Sequence, residues 1–229
     1  LSEAGRVKKL FRRFERHLSR AGLMGHEGKI IDASFVDVPR QRNSREENEE
    51  IKLGKVPESF QENGNRLRQK DVEARWAKKG EEVHYGYKDH VKVDRTTKLI
   101  EDYEVTDACV HDSQAIEDLV EEDDGTLHAD SAYSGEKIET ILKENGVKGE
   151  ICEKGYRNHP LTEKQKKSNR KKSRIRARVE HIFGFMTNTM RDGLKMRWIG
   201  MRRIAVGIGL LNLVYNMARY EQIMRLKLA

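Results

Sequence analysis

Cysteine is nearly absent: the chain has two, Cys109 and Cys152, in 229 residues. They stand far apart and in no CxxC spacing, which excludes a disulfide framework and a thiolate zinc cluster and fits a reduced compartment. Long apolar runs are missing too. The longest, IAVGIGLLNLVYNM at 204–217, falls short of the roughly 20 residues of a membrane span and contains Asn212 and Asn216. No signal peptide opens the chain, no segment repeats, and no RNA-binding motif is present. The chain begins at Leu1 within a helical pattern, so an upstream region is expected.

Charge is what the sequence has in quantity. Of its residues 36% are charged, the net charge is +7, the pI is about 9.3 and the mean hydropathy is -0.84. A basic balance favours a polyanionic partner. The two signs are also segregated. Residues 101–124 hold eleven acids and no Lys or Arg, whereas 154–178 hold eleven Lys or Arg and one acid, Glu163. The basic block therefore reads as a loop that contacts a polyanion, against the alternative of a disordered linker.

The pattern of apolar residues orders the chain. Val7, Leu10, Phe11, Phe14 and Leu18 share one helical face, so 1–27 reads as a basic helix left from an upstream region. KIIDASFVDV (29–38) reads as a buried strand. Residues 40–82 are charged and poor in apolar side chains, an insertion with one helical piece, KDVEARWAKK. Trp76 within it is either a base-stacking side chain or, more simply, that helix's anchor on the sheet. VHYGYKDHVKV then alternates, with Val83, Tyr85, Tyr87, Val91 and Val93 on one face and His84, Lys88, His90 and Lys92 on the other, as in a half-buried strand. LIEDYEVT returns beside it.

A helix capped by Asp112, the strand TLHAD (126–130), a helix capped by Ser134 and the strand VKGEIC follow. After the basic loop, Ile175, Val179, Ile182, Phe183, Met186 and Met190 form an apolar stripe on one helix, and a last helix runs from about Arg202 to Leu226. Gly207 and Gly209 would let that helix approach the core closely, and it is also a candidate homodimer contact. This order implies an α/β fold with a mixed five-stranded sheet flanked by helices.

Three acids stand where acids are unusual. Asp32 is central in a strand expected to be buried, Asp130 ends a strand at the carboxyl edge of the sheet, and Glu180 borders an apolar helix stripe one turn after Arg176. Each has a plain structural reading as a hydrogen-bonded acid, a turn former or a surface ion pair. Together, as hard oxygen donors without a His/Cys cluster, they suit two Mg²⁺ or Mn²⁺ ions and phosphoryl transfer on nucleic acid. Lys88 and His90 on the second strand, with Lys171, Lys172, Arg174, Arg176 and Arg178 in the basic block, are the candidate DNA contacts.

Five blocks carry a resemblance: IIDASFV, HYGYKDHVKVD, HADSAYSG, RVEHIFG and GIGLLNLVYNMARY, in that order. They resemble the bacterial insertion-sequence-five family of DDE transposases over about residues 28–220. The resemblance implies an RNase H-like catalytic domain at 28–200, with the helix of 201–229 packed on it. It implies Asp32, Asp130 and Glu180 as the metal-binding and catalytic acids, and transposon ends and target DNA as partners. A cytoplasmic protein on the bacterial nucleoid, without membrane or nucleotide cofactor, is expected. The sequence departs from the family pattern at Thr187, where a Lys is usual, and at Ser173, where a related signature has Tyr; Arg176 is in its expected place. The competing readings are a nuclease that never joins strands, a transposase remnant that only binds DNA, and a basic protein for RNA or anionic surfaces.

Overall fold

The computed structural model describes residues 4–25, 27–122 and 124–227. Its centre is strand β1 (Lys29–Asp37), which runs antiparallel to the long strand β3 (Glu82–Asp94) and parallel to β5 (Thr126–Ala129). Because it is paired on both edges and covered on both faces, its Ile30 and Ile31 are fully buried. β6 (Lys148–Ile151) extends the parallel side, while β4 (Ile100–Asp107) and β2 (Arg75–Lys79) both pair antiparallel with β3. The sheet thus has six strands, in the order β2-β3-β1-β5-β6 with β4 also on β3. This mixed α/β sheet flanked by helices fits an RNase H-like fold.

The sixth strand is a correction. The pattern of KDVEARWAKK predicts a helix, yet 75–79 pair with 82–86 of β3 through a turn at Gly80, whose φ of 61° suits glycine. Asp71 accepts from the amides of Glu73 and Ala74 at 3.0 and 2.9 Å, a local turn that ends any helix before the strand starts. An open edge of β3 satisfied by a hairpin outweighed weak helical periodicity. The rest of the insertion holds three short helices, α2 (Arg45–Lys52), α3 (Glu58–Gln61) and α4 (Gly64–Gln69).

Two apolar layers hold the helices. On one face Ile30, Val36, Tyr87, Val91 and Val93 meet α8 (Glu180–Asn188) and α9 (Met201–Leu226) through Val179, Ile182, Ile204 and Ile208. On the other, Ile31, Leu127 and Ala129 meet α5 (Ile116–Leu119) and α6 (Glu136–Glu144) through Ile116, Leu119, Ile138 and Leu142. α1 (Ala4–Arg20) is integral to the first layer. Its Val7, Phe11 and Leu18 are buried, Phe11 packs edge-on to Tyr103 at 4.9 Å, and Lys8 pairs with Asp102 at 2.6 Å. Leu10 lies off that stripe and is exposed.

Gly207 and Gly209 are close-approach positions on α9. A Cβ on Gly209 would collide with the Tyr103 hydroxyl and come 2.7 Å from Val7, and one on Gly207 would strike Trp198. The expected helix caps differ. His111, rather than Asp112, caps a short 3-10 turn before α5, and Gly135 stands at the N-cap of α6 while Ser134 turns back to the carbonyl of Ser131. Among the described residues no helix is long and apolar enough to cross a membrane.

Candidate active site

Strand register brings the first two acids together. Ile30 pairs with His128 in the parallel β1–β5 ladder, so two residues further on Asp32 and Asp130 lie level on neighbouring strands. Both sit on the face covered by α8 and α9, since Ile30 and Val36 of the same alternation belong to that layer. Asp130 ends β5 and caps a 3-10 turn, accepting from the Ala132 amide at 2.7 Å. Asp32 is buried and accepts from the Ala33 amide at 2.9 Å.

The third acid arrives on a helix pair that the sequence did not resolve. The basic block is no loop: α7 (Glu163–Arg176) begins with a capping box in which Thr162 and Gln165 satisfy each other's backbone amides. A turn at 177–179 then separates α7 from α8, so the stripe from Ile175 to Met190 is split between two helices. α7 is too polar to bury a face. It is tied to the sheet by polar contacts instead. Asn169 exchanges two hydrogen bonds of 2.9 Å with the Glu153 backbone, and Lys172 donates to the Ile151 carbonyl at 2.8 Å. Ser173 lies 3.7 Å from the buried Cys152 thiol. Val179 at the N-cap of α8, with Ile182 and Met186 within it, is fully buried and fixes the helix, which leaves Glu180 at its first turn with an exposed side chain.

Arg176 sits between the carboxylates. One guanidinium nitrogen is 2.6 Å from Asp32 and the other 3.9 Å from Glu180. Burial works against its charge, while Asp32, Asp130 and Glu180 all act to hold the proton, and the balance raises its pKa. Burial dominates for Asp32 and raises its pKa despite Arg176; Asp130 pushes it up further. Tyr133, which sequence reasoning passed over, is buried beneath the pair. Among the described residues its hydroxyl has no hydrogen-bond partner, and burial together with the charges of Asp112, Asp32 and Asp130 raises its pKa. The short turn SAYSG was the only signal for it.

The other candidates divide. Lys171, Arg174 and Arg178 are exposed and Lys172 is half-buried. Lys88 and His90 require a correction: they pair with Phe35 and Ala33, which places them on the sheet face opposite Asp32, and both are buried. Lys88 binds the Val110 carbonyl at 2.6 Å and Asp112 at 2.7 Å, and His90 bonds Thr106 at 2.8 Å. Both are thus engaged inside the fold rather than at its surface. The strand is not half-buried because the acidic segment folds over its polar face. Trp76 is 47% exposed on the edge strand, tilted against Tyr85 at 4.8 Å. Thr187 turns its hydroxyl back to the Phe183 carbonyl at 2.8 Å.

A family model described as Transposase DDE domain matches residues 24–217, from just before β1 deep into α9. The chain belongs to the DDE transposase family. No solved structure matches it. A DDE transposase acts on DNA in transposition and recombination, with divalent metal ions in DNA cleavage.

The donors suit such ions in kind. Asp32, Asp130 and Glu180 offer only carboxylate oxygens, the hard ligands that Mg²⁺ and Mn²⁺ prefer. Among the described residues, however, no three His, Cys, Asp or Glu side chains stand together as a ready metal cluster. The countercharge between the carboxylates is instead the Arg176 guanidinium.

Proposed function

We propose that this DDE transposase cuts transposon ends and joins them to target DNA at a site formed by Asp32, Asp130 and Glu180, with two Mg²⁺ or Mn²⁺ ions as cofactor. The observation that carries the reading is the placement of three acids, from β1, the end of β5 and the start of α8, around the single guanidinium of Arg176. In the first step water attacks the phosphorus at the element's end, and the bond to the 3′ oxygen breaks to release a 3′-hydroxyl. In the second, that hydroxyl attacks a target phosphodiester in line, and the target's own 3′ oxygen leaves. Divalent cations, when bound, supply Lewis-acid polarisation of the phosphodiester and the attacking oxygen.

The chain's own residues position these steps. Asp32, rigid in the central strand, and Asp130, locked by its turn, present a fixed pair of oxygens. Glu180 is adjustable because its side chain is exposed. Arg176 neutralises the pair and offers guanidinium donors to a phosphate. The exposed cations of α7, Lys171 and Arg174, with Arg178 beyond it, take backbone phosphates. The five sequence blocks support placing the chain with the insertion-sequence-five transposases.

Asp130→Ala in the full chain tests the reading, with a labelled transposon-end duplex and gels that resolve cleavage from strand-transfer products. The expected outcome is loss of metal-dependent cleavage and joining with melting behaviour retained; full retention of both activities sinks it. The Arg176–Asp32 pair favours one competitor, a remnant that binds DNA without chemistry. Binding by the parent chain in EDTA, with no cleavage under any divalent ion, would select that reading.

A further inference from the structure

The turn between β3 and β4 gathers a second concentration of positive charge. Two guanidiniums from different helical segments reach its carbonyls: Arg178, in the turn before α8, donates to Arg95 at 2.7 Å, and Arg219 of α9 donates to Thr97 at 2.8 Å. Lys98 belongs to the same turn and takes a left-handed backbone, φ 63°, with its carbonyl accepting from the Tyr215 hydroxyl at 2.9 Å. Its ammonium lies within the field of both arginines. Burial first, then the charges of Arg219 and Arg178, lower its pKa.

These cations differ from those of the core. Lys29, Lys88, Lys92 and Arg176 each have a carboxylate partner within 3.1 Å. Among the described residues, Lys98, Arg178 and Arg219 have no carboxylate within ion-pair distance. Lys98, His181, Phe185, Tyr215 and Arg219 line an open cavity of about 390 Å³. Glu221 also lines it but is engaged by Arg225 at 3.2 Å. His181, in the cavity's lining, directly follows Glu180 in the first turn of α8, so the two sites share that helix.

Like charges held together in a fold repel, and an outside anion relieves that repulsion. Each guanidinium has five N–H donors and spends only part of them here, which leaves donors in the planar arrangement that suits phosphate oxygens. We infer that Lys98, Arg178 and Arg219 form a phosphodiester-binding subsite that seats the DNA backbone beside Glu180. The inference rests on the reading that Glu180 belongs to the active site. It assigns to the DNA path a turn and a residue of α9 that the basic block does not include.

The test uses the full chain, a fluorescent duplex oligonucleotide and anisotropy titrations in EDTA over a range of NaCl concentrations. Lys98→Asn removes the charge, and asparagine tolerates the left-handed backbone. The expected result is several-fold weaker binding at low salt and a salt-dependence slope reduced by about 0.9, the loss of one phosphate contact. Lys98→Arg should restore the parental slope. If Lys98→Asn fails to fold, Arg219→Gln on α9, outside the basic block, gives the same readout.

Parental affinity and slope in the charge-removing variant overturn the subsite while leaving the transposase reading intact. No DNA binding by the parent chain overturns both. Inorganic phosphate is the second probe. If it raises the parent's melting temperature but not that of Lys98→Asn, while DNA binding is identical in the two, the site belongs to a free anion and the backbone assignment falls.

Discussion

The acidic run of 101–124 and the basic run of 154–178 are mirror images in sequence, each a block of one sign, and they meet opposite fates in the fold. Three acids of the acidic run are spent inward on buried lysines. Glu101 pairs with Lys29 at 2.7 Å, Asp112 with Lys88 at 2.7 Å, and Asp124 with Lys92 at 3.1 Å, so the lysines that alternate along β1 and β3 are buried beneath carboxylates. The basic run keeps most of its charge outward: Lys171, Arg174 and Arg178 are exposed, while Arg176 turns in to Asp32 and the half-buried Lys172 to the Ile151 carbonyl. A charge run therefore announces a partner only when the chain does not itself contain the complement. The acidic block met its complement in the alternate residues of a central strand, and most of α7 met none.

The strongest way to break the comparison is at the buried end. Asp124→Ala should cost about 3–5 kcal/mol, because it removes the buried partner of the almost fully buried Lys92 and leaves that ammonium's cost uncompensated. Chemical denaturation measures it, and a loss near zero would mean that Glu121, which also bonds Lys92, suffices.

Asp89 sharpens the contrast, being a buried acid without a lysine in contact. It faces α9, where Asn212 donates to it at 3.1 Å; Lys8 and Glu104 act at longer range, and burial pushes its pKa up to about 7. The folded state thus holds a proton that the unfolded chain gives up near pH 4. Stability is favoured below that point and falls as pH rises toward 7, by at most about 1.4 kcal/mol per pH unit from this group, then levels. Asp89→Asn should flatten that part of the stability profile, and an unchanged slope would remove Asp89 as its source.

The smallest structural effect belongs to the outward block. Lys171→Ala and Arg174→Ala should each change stability by no more than about 0.5 kcal/mol. Each should nonetheless reduce the salt slope of DNA binding by about 0.9. A large stability loss with unaltered DNA binding would make α7 a structural helix rather than a binding face.

Legibility followed the range of the interactions. β1, β5, β6 and α9 were visible because apolar period and burial are encoded residue by residue. The edge strand β2 was not, since Trp76 and its neighbours become a strand only when β3 offers an open edge. α7 had a readable start in Thr162 and Gln165, but its lack of an apolar face disguised it as a loop. Lys88 and His90 looked exposed because their cover, the acidic segment, lies 16 to 24 residues away in the chain. Tyr133 carried no pattern beyond its turn.

By itself the sequence determined the strand and helix alternation, the three unusual acids, and the order of blocks that marks a DDE transposase, because these rest on local period and residue chemistry. Only the tertiary structure decided which face each charge occupies, that Asp32 and Asp130 lie level on adjacent strands, and that Arg176 stands between them and Glu180. Electrostatic partnership depends on distance through space, and distance between segments far apart in the chain exists only once the sheet has set its register.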